Sequence, residues 1–138
     1  MKQLIRVVLD TNVILSAIIF GGKPRTILEN VIRGNIRLCI SEAILNELKR
    51  VLNRPKFHYP VEIIRLIMSE LTSIGELIDP TARISIIRTD PEDNRILECA
   101  VEAGVDYIVT EDLHLLELGK YENIRIVTPA QLCDELDM

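Results

Sequence analysis

The chain has 138 residues, 48% hydrophobic and 27% charged, which are the proportions of a globular domain and not of a disordered segment. Its formal net charge of −5 argues against the broad non-specific attachment to nucleic acid that a surplus of Lys and Arg supports. Aromatic residues are 4% and Trp is absent, so the core has to be built from Ile, Leu and Val.

No apolar run is long enough to cross a membrane. Met1-Lys2-Gln3 leads into a short strand-like run and not a signal peptide. Cys39, Cys99 and Cys133 are odd in number, far apart and set among apolar residues. They read as reduced core thiols of a cytoplasmic protein, and the absence of a Cys-x-x-Cys pair argues against zinc. The length suits one domain over residues 1–138, and no linker, repeat or low-complexity segment interrupts it. The charge argument has one exception. If four of the 21 acids are held by metal, the excess over the 16 bases nearly vanishes, and a polyanionic substrate is admitted.

The first strand is predicted over Leu4 to Leu9, and it ends abruptly in Asp10-Thr11-Asn12. Asn12 to Phe20 follows as a helix apolar almost all round, which is buried on most sides or touches another chain. Gly21-Gly22-Lys23-Pro24 breaks it, and Pro24 can begin a second helix with Ile27, Leu28, Val31 and Ile32 on one face. Gly34-Asn35 closes that helix, and Ile36 to Ile40 is a strand. Ser41 is an N-cap for a helix from Glu42 to Asn53, which Arg54-Pro55 stops. Another helix follows Tyr59-Pro60 and carries Ile63, Ile64, Ile67, Met68 and Leu71 at helical spacing up to Gly75. Glu76 to Ile87 is extended and irregular, with strand character at Leu77-Ile78 and Ile84 to Ile87. Asp90-Pro91-Glu92-Asp93 opens a helix to about Ala103, capped by Gly104. Then come a strand (Tyr107 to Thr110), a short helix from Glu111-Asp112 to Leu118, a strand (Ile124 to Val127) and a last helix (Pro129 to Leu136). Strands alternating with helices imply an α/β fold, a mainly parallel sheet covered by helices on both faces.

In such sheets ligands bind at the carboxyl ends of the strands, which directs attention to the acids there. Asp10 follows one strand and Asp112 another, and each has an ordinary explanation as a helix cap. Glu47 lies about 100° from the middle of the stripe made by Ile44, Leu45, Leu48, Val51 and Leu52, at the border of the core. It can pair with Arg50 or Lys49 in solvent, or reach over the end of the sheet. Asp93 lies within about 20° of the centre of the stripe of Ile96, Leu97, Ala100 and Val101. The helix dipole favours an acid at a helix start, but not on the core-facing side, because an unpaired buried carboxylate is costly. Asp90 is assigned to capping that helix. Acids gathered this closely persist if protonated or bound to a hard cation, and Mg²⁺ or Mn²⁺ suits oxygen ligands. His58 and His114 read as surface residues, and Gly21-Gly22-Lys23 is too short for a phosphate loop.

Four stretches together resemble a PIN-domain ribonuclease, of the kind that serves as toxin in VapBC-type toxin–antitoxin pairs. They are Val8 to Asn12; Ser41 to Leu48; Asp90 to Asn94 with Ile96-Leu97; and Tyr107 to Asp112 with Leu115-Leu116. The closing Ile126 to Ala130 fits as well. The resemblance covers essentially the whole chain and rests on the order and spacing of these stretches. It implies a three-layer α/β/α sandwich. It implies metal ligation by Asp10, Asp93 and Asp112, with Glu47 completing the cluster directly or through water, and supporting roles for Asn12 and Thr110. Glu111 departs from the family pattern, which commonly has Gly there, and it adds a competing carboxylate beside Asp112. An antitoxin partner and a homodimer are further implications.

The expected activity is Mg²⁺- or Mn²⁺-dependent endonucleolytic cleavage of single-stranded RNA, with no side chain as nucleophile. Lys23, Arg25, Lys49, Arg50, Arg54 and Lys56 are candidates for holding the RNA backbone. Two other classes compete. A haloacid-dehalogenase-type phosphatase also places an Asp after its first strand, but needs a second Asp where this chain has Asn12. A noncatalytic nucleic-acid or protein binding module could retain the fold, although it has no use for four acids.

Overall fold

Val7, Val8 and Leu9 are all buried, and so are Leu38, Cys39 and Ile40. Successive strand side chains point to opposite faces, so unbroken buried runs require a sheet covered on both sides. The computed structural model, which describes residues 4–138, has that arrangement. Its elements are β1 (Ile5–Leu9), α1 (Thr11–Ile19), α2 (Gly22–Ile32), β2 (Ile36–Ser41), α3 (Glu42–Leu52), a 3-10 turn (Pro55–Phe57), α4 (Val61–Ile74), β3 (Glu76–Ile78), α5 (Asp93–Ala103), β4 (Tyr107–Val109), α6 (Leu113–Leu118), β5 (Lys120–Tyr121), β6 (Ile124–Val127) and α7 (Pro129–Leu136). The six strands lie in the order β3-β2-β1-β4-β6-β5, with every pairing parallel except β5 with β6. The architecture is the three-layer α/β/α sandwich anticipated from the sequence.

The strand order places the site. The chain leaves β1 toward β2 and leaves β4 toward β6, in opposite directions along the sheet. A crevice opens where such directions diverge, at the carboxyl ends of β1 and β4. Ladder bonds carry the order just past both ends: Asp10 N–H donates to Val109 O (2.9 Å), and Thr110 N–H to Val127 O (2.9 Å). Helix α5 leads from the carboxyl end of β3 back to β4, so its first residue, Asp93, starts at the same edge.

Several expectations are adjusted. Helix α1 packs against α2 and α3, with Val13, Ile14 and Ala17 buried, Leu15, Ile18 and Ile19 half-buried, and Phe20 just beyond it exposed. Helix α2 starts at Gly22, two residues before Pro24, and its Ile32 faces solvent. Gly75 follows α4 where a side chain has little room: a Cβ there would meet Leu71 O at 3.0 Å and Ile40 Cγ2 at 3.2 Å. Ile84 to Ile87 forms no strand, although Ile84 and Ile87 are buried. The hairpin strand β5 was not anticipated, being two residues long and stabilised only by pairing with β6. All three cysteines are buried free thiols, as expected. Among the described residues, no helix is long and apolar enough to cross a membrane.

Candidate metal centre

Asp10 occupies the N-cap position of α1, yet its side chain makes no capping bond. Its Oδ2 accepts a 2.7 Å hydrogen bond from the Thr110 hydroxyl instead. The same hydroxyl oxygen accepts from the Asp112 N–H at 2.9 Å. Thr110 is fully buried, so one side chain fixes both ends of the crevice. Asp112 does cap its helix: Oδ1 accepts from the N–H groups of His114 (2.8 Å) and Leu115 (3.2 Å). The two candidate caps have therefore parted company, Asp112 capping with one oxygen and Asp10 not at all.

Asp93 is 5% exposed, on the core-facing side of α5 where the periodicity put it. Its Oδ2 is buried and has no hydrogen-bond partner. One oxygen each from Asp90, Asp93 and Asp112 lie within 4.8 Å of one another. Burial, with the charges of Asp112, Asp90 and Asp10, pushes the Asp93 carboxyl up to about 8. Burial also raises Asp10, with Asp112 adding repulsion and the Thr110 hydrogen bond opposing. Glu47 is raised first by burial, then by Glu92, Asp10 and Asp90, with Arg50 opposing.

Glu47 lies 3.7 Å from the Arg50 guanidinium, and its Oε2 accepts from the buried Thr11 hydroxyl at 3.4 Å. Asn12 is exposed and its side chain makes no hydrogen bond among the described residues, so the fold does not bring it into the polar network. Thr11 takes that place. Glu111 is exposed and outside the close trio of carboxylates. Arg25 donates to Ala17 O (2.8 Å) and Ile18 O (2.9 Å), closing the end of α1. Lys56 lies over the Phe57 ring at 5.1 Å, while Lys23, Lys49 and Arg54 are exposed. His58 and His114 are exposed too, as expected.

The sequence reading missed Asp90 and Glu92 as neighbours of the cluster. Asp90, expected to cap the helix, stands two residues ahead of its N-cap position, Glu92, and accepts from Glu92 N–H at 3.2 Å in the turn before it. It also joins Asp93 and Asp112. Three acids within Asp90-Pro91-Glu92-Asp93 were the available signal, because a spacing of three puts 90 and 93 on one side of a helical turn.

The donor set fits a hard divalent cation: all of it is carboxylate oxygen, and one buried oxygen lacks any partner. Asp90, Asp93 and Asp112 have oxygens close enough to share such an ion, with Asp10 beside them.

Known proteins agree with the fold. The family model of the PIN domain matches residues 6–114, and this chain belongs to the PIN domain family. An uncharacterized protein of Methanocaldococcus jannaschii is 30% identical over 148 aligned positions, covering 99% of this chain and 94% of that protein. Among solved structures, VapBC2 from Rickettsia felis, bound to a DNA fragment from its promoter, contains a similar chain. The TM-score is 0.61 at 19% identity, over 88% of this chain and 97% of that one. A chain of FitAcB from Neisseria gonorrhoeae matches with a TM-score of 0.53 at 16% identity, over 90% of this chain and 98% of that one.

Proposed function

We propose that residues 1–138 form one metal-dependent endoribonuclease that hydrolyses phosphodiester bonds of single-stranded RNA, and that it acts as the toxin of a toxin–antitoxin pair. The observation that carries this reading is Asp93, a buried carboxylate with an unpartnered oxygen beside Asp90 and Asp112 at the crevice. Membership of the PIN family supports a nuclease, and a VapBC structure among the fold neighbours agrees with the toxin resemblance in the sequence. An antitoxin protein, a cytoplasmic location and a homodimer belong to the same reading.

In this reading Asp10, Asp93 and Asp112 hold Mg²⁺ or Mn²⁺, with Glu47 at the rim. A bound cation would lower the pKa of an attacking water and would supply positive charge for the phosphate oxygens. Thr110 holds Asp10 in place, and the N-terminal N–H groups of α6 hold Asp112. Both carboxylates are thus oriented before any ligand arrives, which spares that cost at binding. Lys23, Lys49, Arg50, Arg54 and Lys56 remain candidates for the RNA backbone. Arg25 is less available, its guanidinium being engaged with α1.

The test is incubation of the purified protein with mixed single-stranded RNAs and Mn²⁺, beside Asp10→Ala and Asp93→Ala. Metal-dependent cleavage is expected from the wild type. Each variant should lose at least on the order of the 10- to 100-fold that removing even an outer partner of a metal site costs. Cleavage that survived both substitutions, or persisted in chelator, would overturn the reading.

A further inference from the structure

We propose that Asp90, outside the four acids the family resemblance implies, is itself a ligand of the divalent cation, carried to the site by a strap fastened to α5. The proposal rests on the metal-dependent reading above. The closest trio of carboxylate oxygens is Asp90, Asp93 and Asp112, within 4.8 Å. Asp10 and Glu47 are not in it.

Asp90 and Asp112 are held in the same manner. Asp90 Oδ1 accepts from Glu92 N–H (3.2 Å), and Asp112 Oδ1 accepts from His114 N–H (2.8 Å). Each therefore has one oxygen committed to backbone and another to offer. The buried Asp93, whose Oδ2 is unpartnered, has an oxygen within 4.8 Å of both. A turn cap alone explains the Glu92 contact, but Asn or Ser would make the same contact without charge. It does not explain an acid this close to two other carboxylates, where repulsion opposes ionisation.

The position of Asp90 is set by side chains of α5. Asn94 clamps both backbone groups of Ile87, accepting from its N–H (2.9 Å) and donating to its carbonyl (2.7 Å). Glu98 accepts from Ile84 N–H (2.8 Å), and Glu102 from Thr81 N–H (2.9 Å) and its hydroxyl (2.7 Å). Asp90 follows the last clamp by three residues, so the strap delivers a carboxylate to one place.

Calorimetric titration of the full chain with Mn²⁺ tests this. Asp90→Asn keeps the acceptor for Glu92 N–H and removes the charged oxygen. Its dissociation constant should rise roughly tenfold or more, with a metal-free melting temperature equal to or above that of the wild type. Glu111→Gln removes an exposed charge next to Asp112 and should leave binding as it was. Unchanged affinity in Asp90→Asn would overturn the proposal. So would equal weakening in both variants, which would mean long-range charge and not ligation. A wild type that bound no Mn²⁺ would sink the metal-dependent reading itself, and this proposal with it.

Discussion

Thr110 carries more of the site than its size suggests. Its hydroxyl hydrogen goes to Asp10 and its lone pair takes the Asp112 N–H, so one buried atom sets two carboxylates that come from different strands. Thr110→Val keeps the shape and deletes that atom. The Asp10 oxygen and the Asp112 N–H then lack a partner, and an unsatisfied buried group costs about 1–3 kcal/mol. The expected outcome is a folded protein with a lower melting temperature and a Mn²⁺ affinity reduced roughly 10- to 100-fold. Thr110→Ser, which retains the hydroxyl, should recover most of both. Calorimetry and thermal melts on the pair check this, and equal losses in Val and Ser would point to packing of the methyl group instead.

At the level of elements, α5 and the preceding strap explain where an expectation went astray. Apolar residues at Ile84, Ile86 and Ile87 read as a strand, but no neighbouring strand pairs with them. Their backbone groups are satisfied by Asn94 and Glu98, aided by Arg95, which donates to Ile84 O (3.3 Å) and pairs with Glu98 at 3.1 Å. Four helical residues advance about 6 Å, while three extended ones span about 10 Å. Clamps four apart on the helix and three apart on the strap therefore require the strap to run obliquely. Asn94→Ala should strip both partners from Ile87 and cost roughly 2–4 kcal/mol, taking 1–3 for each orphaned group with partial relief by water. The Ile87 amide should lose hydrogen-exchange protection before the sheet amides do. Retained protection would show that the strap does not depend on Asn94.

For the whole molecule the governing quantity is uncompensated negative charge at the crevice. Burial and mutual repulsion raise Asp10, Glu47 and Asp93, the last to about 8. From the ordinary carboxylate range up to that value the folded chain holds protons that the unfolded chain has released. Stability of the metal-free protein therefore falls as pH rises through this window. Glu76, Glu102 and Glu135 act in the opposite sense, lowered by Arg6, Thr81 and Arg125 respectively. Their contribution is present above the ordinary range and is lost as pH falls below it, through their lowered values. The melting temperature without metal should peak at mildly acidic pH and decline toward pH 8. Mn²⁺ should reverse the decline and raise the melting temperature more at pH 8 than in acid. Asp93→Asn should flatten the profile and stabilise the metal-free chain, as the proposed metal-binding role of Asp93 requires. A profile unchanged by Asp93→Asn would remove Asp93 as the titrating group.

The order of elements, the parallel sheet and the places of Asp10, Asp93 and Asp112 could all be read from the chain itself. They follow from local physics: the period of apolar residues, the turn residues between them, and the abrupt step from apolar to acidic at each strand end. Glu47 at the core border and the buried free thiols were readable for the same reason. Tertiary structure alone decided the rest. Asp10 Oδ2 is engaged by the Thr110 hydroxyl, 100 residues away in sequence. Asp90 becomes a neighbour of Asp112 because α5 fastens the strap. Arg25, although exposed, folds back onto the carbonyls that end α1. Whether an acid caps a helix or faces a cation depends on which partner folding brings within hydrogen-bond distance, and one-dimensional spacing does not contain that distance.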